Sequence, residues 1–190
     1  MFINIGLFLL QTLFDLYIYI VILRFLLQTM HVGYFNPLSQ FAIRFTQPII
    51  KPLQKIFPEI KHIDLAIVFL IIVLELIKVS LLLVLQLQAF PNIAGLLLFA
   101  LANLINKFIM FYFYAIIIRV ILSWITPVHH NPVFFALTQL TEPVLHPIRR
   151  VLPMLGGFDL SPLAALIGLQ LLSLIIVTPL LHAAASLIIS

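Results

Sequence analysis

Four apolar stretches, residues 3–27, 65–87, 94–125 and 160–189, constrain this chain more than any other feature. Each is long enough to cross a bilayer, which takes about 20 residues at a rise of about 1.5 Å each. Leu, Ile, Val and Phe occupy every face of each stretch, a pattern that a buried core helix also shows. Length and composition decide between the two. The 190-residue chain is 64% hydrophobic and 8% charged, with mean hydropathy +1.25, so four such helices would find no polar shell to bury them in water. The first stretch lies at the start of the sequence, without a basic n-region or a small-residue cleavage site, and is read as a retained membrane span.

The same composition excludes several functions. The formal net charge is +4, but Lys and Arg are not arranged along a polar face large enough to follow a phosphate backbone, so nucleic acid is not an expected partner. There are no cysteines, which removes disulfides, thiolate metal sites, iron–sulfur clusters and cysteine nucleophiles.

Sliding the chain on itself by 95 residues, half its length, superposes Tyr17 on Tyr112, Tyr19 on Tyr114, Arg24 on Arg119, Asn36 on Asn131, Pro37 on Pro132 and Thr46 on Thr141. Without a gap, the same shift carries Pro48 to Pro143, Pro52 to Pro147, Pro58 to Pro153 and Asp64 to Asp159. Apolar coincidences are cheap in so biased a composition, but matched Pro, Arg, Asn and Asp are not. The expected organisation is two tandem units, residues 1–95 and 96–190. With an even number of spans in each, the two copies insert in the same orientation, as parallel repeats.

Between the two spans of each unit lies a segment of different character. Asn36-Pro37 and Asn131-Pro132 set a side-chain acceptor at an N-cap and a fixed-φ proline at the first helical position. In the first copy an apolar stripe of Leu38, Phe41, Phe45, Ile49, Leu53 and Ile56 opposes Ser39, Gln40, Arg44, Gln47, Lys51, Gln54 and Lys55. The second repeats it as Val133, Leu137, Leu140, Val144, Ile148 and Val151, opposite Gln139, Glu142, His146, Arg149 and Arg150. Interior prolines cost a backbone bond each, so Pro48, Pro52, Pro143 and Pro147 predict a kinked connector of two short helical pieces, lying at the membrane interface. The alternative is a plain connector whose apolar stripe rests on the bundle.

These residues carry a family resemblance. Arg24-Phe25-Leu26-Leu27, Asn36-Pro37-Leu38, Thr46-Gln47-Pro48-Ile49-Ile50-Lys51-Pro52-Leu53 and Pro58, followed by Asp64, resemble the YggT family of small membrane proteins. The second copy fits through Arg119-Val120-Ile121-Leu122-Ser123-Trp124, Asn131-Pro132, Thr141-Glu142-Pro143-Val144-Leu145-His146-Pro147-Ile148-Arg149-Arg150, Pro153 and Gly157-Phe158-Asp159-Leu160-Ser161-Pro162. The resemblance implies a two-repeat integral membrane protein. It further implies a role of the kind attributed to bacterial members, in osmotic or potassium stress tolerance and in division or envelope organisation. Plastid relatives assist maturation of a b-type cytochrome. No catalytic residue is common to the family. Where the second copy has Ser123-Trp124, the first has Gln28-Thr29.

Charged residues inside apolar spans are the usual pointers to function, because each costs several kcal/mol unless paired or wetted. Asp15, Glu75, Lys78 and Lys107 are in that position. Counting inward from Arg24, Asp64 and Arg119, three of them (Asp15, Glu75 and Lys107) lie roughly 13 to 18 Å deep, near the middle of a core about 30 Å thick, and can meet. Glu75 and Lys78 are also three apart on one helix. A proton or ion path is one reading. An electrically neutral set that pins helices together is the other, favoured because two acids balance two bases and Gln170 and Ser173 stand at the corresponding second-copy positions.

His129 and His130 adjoin on a short loop without a third ligand at helical spacing, so no metal site is expected there. His31, His62 and His146 read as interfacial polar residues. No phosphate loop, carboxylate pair or Ser/His/Asp arrangement is discernible, and neither an enzyme nor a cofactor is expected.

Two function classes follow: a non-enzymatic membrane factor that binds lipid, other membrane proteins or a second copy of itself, and a small ion or proton transporter or channel subunit. Arg44, Lys51, Lys55, Lys61, Arg149 and Arg150 all lie in the connectors, while the Pro91 turn and both tails carry no basic residue. Short basic loops stay in the cytoplasm. The expected placement is therefore a bacterial inner membrane, with connectors cytoplasmic and both termini on the outer side.

Overall fold

A computed structural model describes residues 2–60, 63–87, 92–125, 131–152 and 159–189. Lys61, His62, Pro91, His129, His130, Pro153, Gly157 and Phe158, singled out above, lie outside the described residues.

The described chain is almost wholly helical. Helix α1 (Phe2–Thr29) is followed by the connector α2 (Pro37–Leu53), a hairpin of two-residue strands β1 (Glu59–Ile60) and β2 (Ile63–Asp64), and α3 (Leu65–Leu87). Then come α4 (Ile93–Ile125), the connector α5 (Pro132–Val151), and α6 (Ser161–Leu172), which passes through a π turn (Ser173–Val177) into α7 (Thr178–Ile189). Four helical stretches are long and apolar enough to cross a membrane: Asn4–Thr29, Leu65–Gln86, Ile93–Ile125 and Ser161–Ile188. Only 11 to 33% of the residues in their most apolar windows are buried within the protein, so most of that apolar surface faces outward, as a bilayer requires.

The end of α1 shows how local sequence shapes these elements. His31 has φ 54°, and the Val32 amide donates to Leu27 O and the His31 amide to Gln28 O. This is a Schellman closure with a non-glycine residue in the left-handed position, and buried Val32 and Leu27 supply its hydrophobic contact.

Each connector is one helix rather than two pieces. α2 runs through Pro48 and Pro52, and α5 through Pro143 and Pro147. The cost of a missing amide falls on Arg44 O, Pro48 O, Gln139 O and Pro143 O. The neighbouring bonds persist because one face of each helix is held on the bundle.

In α2 that face is mostly of small residues, two of them polar, with one large apolar side chain, Ile50. Ser39, Ala42, Thr46 and Ile50 are buried, whereas Phe41, Phe45 and Ile49 of the apolar stripe are exposed. The alternative in which this stripe rests on the bundle therefore holds in α2 only at its ends, where Leu38 and Leu53 pack on the core. In α5 the packing is more apolar, through Phe134, Ala136, Leu137, Leu140 and Leu145. The Asn36 amide donates to Pro132 O at 2.6 Å, joining the beginnings of the two connectors at one end of the bundle.

The main core forms among α1, α2 and α3 around Ile18, Ile22, Leu26, Ile50, Ile67 and Ile71, with Ala136 and Leu140 of α5 added from the other half. A smaller cluster joins Ile116, Leu145 and Ala165.

The π turn has a local cause. Pro179 has no amide proton for Ile175 O, and the Thr178 amide reaches back five residues to Ser173 O. That shift carries α7 on to α4, the most extensive interhelix contact among the described elements.

Gly95 sets the closeness of that contact. A Cβ there would lie 2.7 Å from Ile188 Cγ1 and 3.0 Å from the Ile188 backbone nitrogen, so the helices would have to part. Gly95→Ala is expected to lower stability by about 1 to 3 kcal/mol. Gly168→Ala, with nothing within 4 Å, should be neutral or stabilising by up to about 1 kcal/mol. Unfolding of both variants in detergent measures the difference, and equal behaviour would refute a tight α4–α7 crossing.

Candidate functional site

Three of the four helical spans contribute to a cluster of buried charge. α1 supplies Asp15, α3 supplies Glu75 and Lys78 one turn apart, and α4 supplies Lys107. Lys78 Nζ lies 2.9 Å from Asp15 Oδ1 and 2.7 Å from Glu75 Oε1. Lys107 Nζ lies 2.9 Å from the same Asp15 oxygen and 3.0 Å from Glu75 Oε2. Each lysine thus touches both carboxylates, and the four charges close into a neutral ring.

Glu75 is fully buried and the two lysines nearly so, while the Asp15 side chain is 27% exposed. Both Glu75 oxygens lie against a lysine, Oε1 against Lys78 and Oε2 against Lys107. In a low-dielectric interior the attraction between these charges must offset a desolvation cost of several kcal/mol per ion. Lone lysines at this depth would not be tolerated. None of the four cavities described in the structure is lined by any of these residues.

A second set lies at the connector end. Arg24 Nη1 donates to Thr46 Oγ1 at 2.8 Å, and Arg119 Nη1 donates to Thr141 Oγ1 at 2.7 Å. Each threonine also donates back to its own helix, to Ala42 O and Leu137 O. Asp64 accepts the amides of Ala66 and Ile67, capping α3, and takes the Gln54 amide at 2.6 Å. Asp159 accepts the Ser161 amide at the start of α6, and Arg149 Nε at 3.0 Å. Burial alone would raise the Asp159 pKa, but the bonds from Ser161 and the Arg149 charge outweigh it and hold the carboxyl below its ordinary value. Asn36 and Asn131 accept the first helical amides as N-caps, with Pro37 and Pro132 behind them.

The sequence marks Arg24, Arg119, Asp64 and Asp159 but does not pair them with Thr46, Thr141, Gln54 and Arg149. The 95-residue spacing held the signal, since each bond recurs at the shifted positions. Ser173, which the sequence offers only as the counterpart of Lys78, has its hydroxyl 3.1 Å from Asn106 Oδ1 at the π turn. Among the described residues no group of three His, Asp or Glu side chains is placed to hold a metal ion.

Comparison with known proteins gives a consistent picture. A family model described as CCB3/YggT matches residues 3–86 and 98–180. A Vibrio alginolyticus protein encoded in the proC 3′ region is 44% identical over 164 residues, covering 86% of this chain and 88% of the relative. A Pseudomonas aeruginosa protein is 41% identical over 173 residues, covering 90% and 88%. Escherichia coli YggT is 35% identical over 168 residues, covering 88% and 86%. No solved structure matches the chain.

The ring makes a definite demand on stability. Glu75→Ala leaves two buried lysines facing one carboxylate and is expected to cost about 3 to 5 kcal/mol. Adding Lys78→Ala restores a balanced Asp15–Lys107 pair and should recover part of that loss. Unfolding in detergent measures both, and an unchanged melting temperature for Glu75→Ala would mean that the ring is hydrated.

Proposed function

Since this chain belongs to the CCB3/YggT family, we propose that it acts as a non-enzymatic integral membrane protein that works by binding lipid and neighbouring membrane proteins. In this reading it supports membrane-complex assembly, envelope organisation or tolerance of osmotic and ionic stress, the roles the resemblance implies. The observation that carries it is the closed ring of Asp15, Glu75, Lys78 and Lys107, in which every charge is matched within 3.0 Å and none is left to bind and release an ion. Such a ring pins α1, α3 and α4 together. Beside it, α2 turns Phe41, Phe45 and Ile49 outward, next to exposed Arg44, Lys51 and Lys55, which suits a helix lying in an interface with anionic headgroups.

A second reading, a small ion or proton transporter or channel subunit, draws on the partial exposure of Asp15. Proteoliposomes containing the purified chain separate the two. The binding reading expects potassium and proton flux no greater than in protein-free vesicles, and selective flux that Glu75→Gln abolishes would overturn it.

The proposed setting is a bacterial inner membrane with both connectors cytoplasmic. Because the chain has no cysteine, single substitutions report cleanly. Lys55→Cys is expected to react with an impermeant maleimide only after cells are opened, and Ile93→Cys in intact cells. The reverse pattern would invert the topology.

A further inference from the structure

Beneath the first connector lies a cavity of about 440 Å³, lined in part by Arg24, Gln28, Tyr34, Ser39, Gln47 and Gln54. The Arg24 side chain is buried, 7% exposed, and among the described residues only its Nη1 has an acceptor, Thr46. Its Nε is buried without a partner, and so is the Ser39 hydroxyl, 5% exposed. Among the described residues no carboxylate lies within ion-pair distance of Arg24. Two acidic groups nearby are engaged elsewhere: Asp64, whose field reaches Arg24, holds Gln54 and the first amides of α3, and Glu59 holds the Gln28 amide at 2.6 Å.

The other half of the chain supplies the comparison. Arg119, Ser123, Phe134 and Arg149 stand 95 residues beyond Arg24, Gln28, Ser39 and Gln54, and they line a corresponding cavity of about 530 Å³. There the arginine keeps its threonine, but Glu142 also binds it, Oε2 lying 3.2 Å from Arg119 Nη1 and Oε1 2.8 Å from Arg149 Nη1. The residue matching Glu142 in the first half is Gln47, and the residue matching Phe134 is Ser39. One half carries its own anion. The other has an amide in its place, a hydroxyl where the first has a ring, and a guanidinium edge without an acceptor.

We propose that the cavity between α1 and α2 binds a phosphate-type anion, held on the free edge of the Arg24 guanidinium and by the Ser39 hydroxyl, in the role that Glu142 fills in the second half. A planar guanidinium meets two oxygens of a phosphate at once, and a buried cation without a carboxylate in contact gains most from such a partner. Exposed Lys51 and Lys55 on the same connector add long-range attraction. Two sources offer this chemistry, the headgroup of an anionic phospholipid and free phosphate.

The test uses the purified full chain in a non-ionic detergent at constant ionic strength set with chloride. Its melting temperature is followed against inorganic phosphate, dihexanoyl phosphatidylglycerol, and dihexanoylglycerol as the phosphate-free control. A saturable rise of about 5 °C is expected at a hundredfold excess over Kd. A rise with inorganic phosphate assigns the site to the free anion, and a rise with the phospholipid alone assigns it to the headgroup. The control should give none. Gln47→Glu, which installs the second half's carboxylate, should not lower the unliganded melting temperature and should abolish the rise. If that variant does not fold, Ser39→Ala should weaken binding about tenfold, the loss of one hydrogen bond to a charged group. No rise with either phosphate probe, a rise undiminished in Gln47→Glu, or, where that variant does not fold, an unchanged Kd in Ser39→Ala overturns the proposal.

Discussion

Charge brought into an apolar interior must be matched within the protein, and the rest of this structure is arranged around that demand. Two acids and two bases from three different helices meet in one ring, with Asp15 and Glu75 each touching both Lys78 and Lys107. Apolar packing alone gives membrane helices little reason to choose one neighbour or one rotation over another, because lipid is as apolar as the protein surface. A four-membered ion ring does. It fixes α1 and α3 in rotation and depth and draws α4, from the other half of the chain, on to the same core.

Small residues do comparable work where helices come closest. Gly95 admits α7 against α4, and Ser39, Ala42 and Thr46 admit α2 against the bundle. The bulky Phe41, Phe45 and Ile49 then have no place inside and turn outward. This inverts the rule for helices of soluble proteins, in which the apolar stripe faces the core. The arginine–threonine bonds at Thr46 and Thr141 occupy the buried faces and help each connector stay helical past its prolines.

The halves share this framework and differ in how its charges are satisfied. In the second, Arg119, Glu142, Arg149 and Asp159 form a chain of ion pairs that is complete within the protein. In the first, amides at Gln47 and Gln54 replace the acid and the base, so Arg24 and Asp64 are held by neutral partners. A single substitution pattern thus separates a self-contained site from one with an unmet donor.

The sequence by itself determined the number and length of the spans, the place of the connectors, the start of each connector at Asn-Pro, and the level along their helices at which Asp15, Glu75 and Lys107 can meet. All of these depend on local chemistry: hydropathy over about 20 residues, capping, and a fixed rise per residue. It misjudged the continuity of the connectors and did not reveal which face of α2 is buried, because apolar period identifies the core side only when the surroundings are water. The pairing of Arg24 with Thr46, the closing of the ring by Lys107, the π turn's approach to α4 and the open guanidinium beneath α2 were decided only by tertiary structure. Each depends on the rotation of one helix about its axis against another. With Leu, Ile, Val and Phe on every face, the one-dimensional pattern does not encode that rotation; the few polar and small side chains select it by where they can be satisfied or fitted.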